Sequence, residues 1–347
     1  MVSRSAKKPV VGTENHKPAS SPSLPPYAVA ALAGIATLSI CALVNRQLAR
    51  KAERDNPPTG RFVEVNGVQM HYREYGDGEP LVLLHGNGTM LQDFEVSGLT
   101  DKASKNHRVI AIDRPGFGHS SRPRGSIWTP DAQADLIHAV LQKIGVSKAT
   151  ILGHSWGTSV AVAFALKRPK AVKALVLVSG YYYPSPRADV VVMSAPAVPL
   201  LGDVLRFTLS PPISRMLWPA ALKKMFGPAE VPTKFNAFPK ELAFRPSQIR
   251  ASAEEAALMI PDAIAFQGRY TDLKMPVVII AGEEDRLVDI DDQSARLHDE
   301  VPQSTFYRVA GAGHMVHQTA TARVLEAIGE AMKTGRSTLR PVTTHAA

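Results

Sequence analysis

The sequence predicts an α/β protein with a mostly parallel, doubly wound sheet, a helical cap inserted into it and a transmembrane helix before it. Short apolar segments of strand length alternate with helical segments over residues 61–332, which is typical of a parallel sheet covered on both faces. Almost a hundred residues between Ser179 and Val277 interrupt this alternation. An uncharged apolar stretch, residues 27–44, lies ahead of the domain.

The N-terminal region is predicted to contain a membrane anchor. Residues 1–26 are rich in Ser, Pro and Lys and are predicted to be a disordered tail. The 18 uncharged residues that follow would span about 27 Å as a helix, enough for a bilayer core. We therefore assign residues 27–45 to a single-pass anchor and residues 46–60 to a basic linker. A cleaved signal peptide is the alternative, although its basic region would be unusually long.

The charge distribution argues against a nucleic-acid partner. The chain of 347 residues carries a formal net charge of +9, but residues 1–60 contribute +5 and residues 333–347, a predicted disordered tail, contribute +3. The rest of the chain is thus close to neutral, and the basic character belongs to the ends. By the positive-inside rule, the charges on the two sides of the anchor weakly favour a cytoplasmic location of the domain that follows it. The lone cysteine, Cys41, allows no intrachain disulfide.

The elements of the domain follow in order. Asn66-Gly67 between two alternating runs predicts an opening hairpin. Thr129 and Pro130 fit the N-cap and the first turn of a helix over residues 131–144. A final helix is expected over about residues 317–332. The predicted strands are residues 61–65, 68–74, 81–84, 109–112, 149–152, 174–178, 277–281 and 305–309.

The long interruption between strands predicts a cap. It contains many prolines, aromatic residues and methionines, and it exceeds the usual length of a structureless loop. We therefore place a helical insertion over the sheet edge at about residues 181–270.

The motif Gly153-His154-Ser155-Trp156-Gly157 is the point around which the chemistry is predicted. An apolar strand precedes it and a helix follows it, which is the setting of a nucleophile elbow. So tight a turn requires small residues at Gly153 and Gly157. Ser155 would then stand at the N-terminus of a helix, where developing negative charge is favoured.

An activated serine needs a base and a group that orients the base. His314 follows the last strand in Gly311-Ala312-Gly313-His314 and is the predicted base, in preference to His317, which is expected to support the site or to be exposed. The acid is predicted in the loop after the strand 277–281. Asp285, Glu283, Glu284 and Asp289 all lie there, and their positions alone do not separate them.

The oxyanion donors are predicted to be two backbone N–H groups. One belongs to Trp156, the residue after the nucleophile. The other is assigned to Asn87 in the loop His85-Gly86-Asn87-Gly88, where His85 and Gly86 support its shape. The sequence has no zinc-type spacing and no Walker loop, so neither a metal nor a cofactor is predicted.

These motifs, together with Asp113-Arg114-Pro115-Gly116-Phe117-Gly118, resemble the α/β-hydrolase superfamily over about residues 61–332. The resemblance is to the capped branch, which holds esterases, carbon–carbon bond hydrolases, haloperoxidases and epoxide hydrolases. It implies Asp285 as the acid, through the Gly-x-x-Asp loop, and no catalytic role for the Asp113 run. Thr158 stands where the family often has glycine, which implies a change in helix packing. A serine nucleophile disfavours epoxide hydrolase and dehalogenase activity.

The sequence thus predicts a membrane-anchored serine hydrolase that cleaves a small, apolar carboxylic ester through an acyl-enzyme. A carbon–carbon bond hydrolase and a cofactor-free haloperoxidase or perhydrolase are alternatives with the same triad. A catalytically silent binding protein of the same fold is the alternative from another class.

Overall fold

A computed structural model describes residues 6, 12 and 24–337 of the chain. The predicted tail 1–26 therefore lies almost wholly outside the described residues, as does the chain after residue 337.

The structure has one eight-stranded sheet in the order β1-β2-β4-β3-β5-β6-β7-β8. Strands β1 and β2 form an antiparallel hairpin, β2 is antiparallel to β4, and all other pairs are parallel. This confirms the predicted fold class. The strands are β1 Arg61–Val65, β2 Val68–Tyr75, β3 Glu79–Leu84, β4 His107–Ile112, β5 Ala149–His154, β6 Val172–Val178, β7 Val277–Gly282 and β8 Ser304–Val309.

Helices cover both faces of the sheet and its carboxyl edge. Thr129 caps α4 as its sequence suggests, since its side chain accepts a hydrogen bond from the N–H of Ala132. The helices are α1 Pro26–Asp55, α2 Gln92–Ser97, α3 Leu99–Ala103, α4 Pro130–Lys143, α5 Trp156–Lys167, α6 Ala188–Ser194, α7 Leu201–Phe207, α8 Ser210–Phe226, α9 Lys240–Ala243, α10 Pro246–Phe266, α11 Arg296–Glu300, α12 Val316–Thr319 and α13 Thr321–Ser337.

The core consists of two apolar layers separated by the sheet. In β3, Val82 and Leu84 enter the layer that contains α4 and α5, whereas Leu81 and Leu83 enter the layer that contains α13. All four side chains are fully buried. Burial on both faces explains why the central strands are continuously apolar and do not alternate.

The predicted linker at residues 46–60 is largely wrong, because α1 continues through Asp55 before the Pro57-Pro58 pair. Tertiary contacts hold this second half of the helix. The Nδ2 of Asn45 donates to the carbonyls of Phe207 and Thr208 at 3.0 and 2.7 Å. Ala52 is buried against the cap. Only such contacts distinguish this charged helical segment from a linker.

The insertion between β6 and β7 contains five α-helices, α6 to α10, within the predicted residues 181–270. The end of the domain differs from the expectation. The final helical segment breaks at Ala320 into α12 and α13, and α13 runs to Ser337, five residues beyond the predicted end at Met332. The residues predicted as the start of a disordered tail, 333–337, are therefore helical.

Candidate active site

Ser155 occupies a strained turn between β5 and α5. Its backbone angles are φ 52° and ψ −122°, a region that non-glycine residues rarely adopt. A Cβ at Gly153 would lie 2.4 Å from the carbonyl oxygen of Gly157, and one at Gly157 would lie 2.3 Å from that of Leu84. The close packing explains why both positions are glycine. Ser155 itself is half-buried.

The structure brings Asp285 and His314 together at the carboxyl edge of the sheet. Oδ2 of Asp285 lies 2.7 Å from Nδ1 of His314, and both side chains are almost fully buried. The other oxygen, Oδ1, accepts hydrogen bonds from the N–H groups of Leu287 and Val288 at 2.8 and 3.1 Å. These bonds fix the carboxylate, which in turn favours a proton on Nδ1 of His314 and leaves its Nε2 free to accept one.

The other acidic residues of this loop have different partners. Glu284 accepts a hydrogen bond from the N–H of Gly311 at 2.9 Å. Glu283 lies 3.5 Å from Arg308, and Asp289 accepts from the N–H groups of residues 291 and 292. Of the four candidate acids, Asp285 is therefore the one placed against His314.

The loop that carries Asn87 is held by the neutral His85. Nε2 of His85 accepts a hydrogen bond from the N–H of Arg114 at 3.0 Å, so Nδ1 carries the proton and donates to the carbonyl of Gly86 at 2.8 Å. Burial, with the charge of Arg114, lowers the pKa of His85 to about 3. Asn87 Nδ2 also donates to the Ser252 carbonyl of α10 at 3.0 Å. The loop is thereby tied to both sheet and cap.

The second predicted donor, Trp156, is the first residue of α5. The N–H groups at the start of a helix have no partner within that helix. The buried indole ring packs under the guanidinium of Arg114, whose Cζ lies 4.9 Å from the ring centre.

A buried ion pair joins this loop to the cap, and the sequence did not predict it. Arg114 pairs with Glu255 of α10, and both side chains are fully buried. Arg114 Nε and Nη2 donate to the carbonyls of His85 and Gly86 at 2.8 and 3.0 Å. Gln133 Nε2 donates to Glu255 at 3.0 Å. The pairing spans 141 sequence positions, and no local signal indicates such a partner.

Asp113, the first residue of the run that contains Arg114, is likewise structural. Its carboxylate accepts hydrogen bonds from the N–H groups of Leu91 and His119 at 2.9 and 3.0 Å. The side chain of His71 lies 2.7 Å from it. Burial alone would raise the pKa of Asp113, but these bonds hold that pKa below its ordinary value.

Behind the His314 loop lies a buried cluster of Asp93, His154 and His317. The sequence suggested a supporting role as one alternative for His317, but it did not indicate the partners Asp93 and His154. Oδ2 of Asp93 is 3.0 Å from Nε2 of His317, so His317 is a buried supporting residue and not an exposed one. The ring centres of His154 and His317 are 4.2 Å apart. His154 Nε2 lies 3.2 Å from the carbonyl oxygen of His314. Burial lowers the pKa of His154 well below its usual range, so His154 is neutral and donates to that carbonyl.

These three side chains are close enough to share a metal ion, since their ligand atoms lie within 4.8 Å of one another. Nε2 of His154 is engaged by the His314 carbonyl, and Oδ1 of Asp93 by Gln318. Oδ2 of Asp93, Nδ1 of His154 and both ring nitrogens of His317 have no hydrogen-bond partner among the described residues. Through His154 the cluster supports the His314 loop.

This fold and this site define a hydrolase of the α/β class. A family model for the alpha/beta hydrolase fold matches residues 79–321, and the chain belongs to that family. The 2-hydroxymuconate semialdehyde hydrolase of Pseudomonas putida is 26% identical over 286 residues, which cover 79% of this chain and 95% of the relative. The uncharacterized hydrolase YugF of Bacillus subtilis is 25% identical over 280 residues, which cover 80% and 98%.

Two solved structures share the fold. A thermophilic esterase from Thermogutta terrifontis superposes with a TM-score of 0.62 at 22% identity, covering 80% of this chain and 99% of the esterase. A bacterial membrane phospholipase A superposes with a TM-score of 0.62 at 20% identity, covering 89% of this chain and 96% of the phospholipase. A coverage of 89% exceeds the hydrolase domain, so the second superposition extends into the region of α1.

Proposed function

We propose that this chain is a serine hydrolase that cleaves a carboxylic ester through an acyl-enzyme. The observation that carries the proposal is the 2.7 Å contact between Asp285 and His314, at the same sheet edge as the strained turn of Ser155. The order Ser155, Asp285, His314 along the chain is the order found in α/β-hydrolases.

In this mechanism Ser155 Oγ attacks the ester carbonyl while Nε2 of His314 accepts its proton. Asp285 keeps the imidazole oriented and stabilises the positive charge that develops on it. The N–H groups of Asn87 and Trp156 donate to the oxyanion. His314 then returns the proton to the leaving alcohol, and water, activated by the same imidazole, releases the acid. Every proton transfer is assigned to a protein side chain, so the mechanism needs no metal or cofactor.

We further propose that α1 anchors the enzyme in a membrane. It is the one straight helix of the described residues long and apolar enough for a span, and none of its apolar stretch is buried in the structure. Large apolar side chains on it, such as Leu32, Ile35 and Ile40, are exposed. A signal sequence would share these properties. The buried contacts of Asn45 with the cap favour a helix retained in the mature protein.

The cap presents a second apolar surface beside this helix, which we call the apolar cap face. Residues 188–207 form two helical segments bent by 93° that together meet the same length and composition criteria as a span. The side chain of Asn45, at the end of the apolar stretch of α1, donates to the carbonyl of Phe207 in this bent pair of helices. The apolar stretch of α1 and the apolar cap face are therefore adjacent. This supports a lipid surface as the occupant of the face, and an apolar substrate taken from that surface. The exposed side chains are Val191, Val192, Met193, Val198, Leu200, Leu201, Val204, Phe207, Leu209, Ile213, Met216 and Leu217.

A carbon–carbon bond hydrolase is the second candidate. It is favoured by the names of several relatives, including 2-hydroxymuconate semialdehyde hydrolase and 2-hydroxy-6-oxo-2,4-heptadienoate hydrolase, the latter 25% identical to this chain. The esterase and the membrane phospholipase A with the same fold favour ester cleavage instead. A haloperoxidase or perhydrolase remains an alternative from the sequence resemblance.

Hydrolysis of a p-nitrophenyl ester series, from acetate to palmitate, by the full chain in non-ionic detergent tests the proposal. Turnover should be abolished in Ser155→Ala, by about 10⁴-fold or more in kcat. The matched control Ser159→Ala, four residues further along in α5, should retain it. Turnover of 2-hydroxymuconate semialdehyde without ester turnover would favour the second candidate. Absence of both, with no Ser155-dependent labelling by a fluorophosphonate, would indicate a silent fold.

A further inference from the structure

A cleft of about 550 Å³ lies between the end of α1, the loop after β4 and the cap helices α7 and α10. No residue of the proposed triad lines it. Its most conspicuous feature is a concentration of guanidinium groups, with one carboxylate, Glu53, in the wall. The arginines that line it are Arg122, Arg124, Arg206, Arg245 and Arg250.

Five arginines in this cleft share three carboxylates. Glu254 lies 2.6 Å from both Arg122 and Arg250. Asp203 lies 2.5 Å from Arg206 and 3.3 Å from Arg124, and Glu53 is 3.0 Å from Arg245. The site therefore has two positive charges in excess. Glu255, 4.0 Å from Arg122, does not change this balance, because it is paired with Arg114.

Three of these side chains are desolvated and held in place. Arg122, Arg206 and Arg245 are each at most 8% exposed. Arg122 Nη1 donates to the carbonyl of Pro115 at 3.0 Å, and Arg245 donates to those of Leu242 and Gly118. Among the described residues, the buried Nη2 of Arg122 has no hydrogen-bond partner. A buried donor on a charged group is expected to be satisfied when the site is occupied.

We propose that this cleft binds the phosphate group of an anionic ligand. Two uncompensated guanidiniums attract a phosphate group, whether it is a singly charged diester or a doubly charged monoester, and planar arginine donors suit its oxygens. Two sources would supply this chemistry: the headgroup of an anionic phospholipid or a soluble phosphate ester.

The position of the cleft favours the headgroup, a preference that depends on the proposed membrane anchor. Arg206 precedes Phe207, whose carbonyl accepts a hydrogen bond from Asn45 at the end of the apolar stretch. Glu53 lies eight residues after Asn45, about 12 Å along the helix. The cleft would thus face the polar region of a bilayer that α1 enters.

The experiment is isothermal titration calorimetry on the full chain in non-ionic detergent. Three probes are compared: inorganic phosphate, dihexanoyl-phosphatidylglycerol and dihexanoyl-phosphatidylcholine. Every protein carries Ser155→Ala, so no ester is turned over, and binding is measured whether or not the chain is an esterase. The test variant is Arg124→Gln/Arg250→Gln. The control, Arg168→Gln/Arg323→Gln, removes the same charge from exposed ion pairs far from the cleft.

We expect the test variant to bind phosphate or phosphatidylglycerol about tenfold or more weakly, and the control to bind like the parent. Tighter binding of phosphatidylglycerol than of both other probes assigns the site to a headgroup. Tighter binding of inorganic phosphate assigns it to a soluble ligand. Equal losses in test and control variants, or no binding of either phosphate probe, would overturn the proposal. If the double variant does not fold, Arg124→Gln alone serves, because that side chain is 63% exposed.

Discussion

Asp285 and His314 lie 29 positions apart in the sequence, yet Oδ2 of one is 2.7 Å from Nδ1 of the other. The contact exists because β7 and β8 are parallel neighbours, so the loops that follow them emerge at the same edge. Asp285 has no freedom to turn away, since its other oxygen accepts two backbone hydrogen bonds.

Replacing Asp285 by Asn should lower kcat by about 10³- to 10⁴-fold, because the amide would favour the wrong imidazole tautomer. Steady-state hydrolysis of the best p-nitrophenyl ester measures the effect. Asp289→Asn is the matched control from the same loop and should change kcat less than threefold. A larger loss in Asp289→Asn than in Asp285→Asn would contradict the assignment of the acid.

Breaking the buried pair of Asp93 and His317 should destabilise the fold. Asp93→Asn should lower the free energy of unfolding by about 3 kcal/mol, because it removes one partner of a buried pair. Denaturant unfolding at pH 7 measures it. Asp101→Asn, at an exposed position in α3, is the control. A loss below about 0.5 kcal/mol would mean that the pair contributes little.

The same pair of residues predicts that the folding stability depends on pH. Burial acts to raise the pKa of Asp93, but His317 and Gln318 hold that pKa below its ordinary value. A carboxyl group whose pKa is lower in the folded than in the unfolded state stabilises the fold at pH values above its unfolded pKa of about 4. This stabilisation is lost as the pH falls from that value through the folded pKa. The difference between wild type and Asp93→Asn should therefore shrink as the pH is lowered from 7 to 3. A constant difference would exclude this linkage.

For Asp262 in α10 we expect the opposite pH dependence of the folding stability. Burial, with the charges of Asp131 and Glu255, raises its pKa to about 7, and its Oδ2 has no hydrogen-bond partner among the described residues. The folded state then binds a proton that the unfolded state releases, so stability falls as the pH rises from about 4 to 7. Asp262→Asn should thus stabilise the protein by about 1–2 kcal/mol at pH 8, allowing for its partial exposure.

Melting temperatures at pH 4.5 and 8 test this. The gain from Asp262→Asn should appear at pH 8 and be much smaller at pH 4.5, while the exposed Asp272→Asn should show neither. A gain independent of pH would show that packing, and not titration, is responsible.

The apolar cap face can be tested by site-specific labelling. In a Cys41→Ser background, an environment-sensitive fluorophore at Leu200→Cys should shift its emission to the blue when the full chain enters liposomes. The same label at Lys170→Cys, before β6 at the end of the sheet opposite to the cap, should remain water-like. Identical emission at the two positions would argue against a cap seated on lipid.

The sequence alone was sufficient to predict the features that depend on residues close to one another in the chain. Apolar runs defined the central strands to within one or two residues, Asn66-Gly67 defined the hairpin, and Thr129-Pro130 defined the start of α4. The elbow around Ser155 was also readable, because its glycines are required by contacts within that turn and with the adjacent strand β3.

Tertiary structure decided what depends on partners distant in sequence. Four acidic residues in one loop are equivalent by position alone, so the sequence indicated Asp285 only through the family resemblance. The fold shows that Asp285 is the one that lies against His314. His317 has Asp93 as its partner, Arg114 has Glu255, and residues 46–55 are held as a helix by the cap. The five arginines of the cleft between α1 and the cap come from three separate segments. Local sequence encodes backbone preference, whereas the pairing of buried charges is settled only when the chain has brought them together.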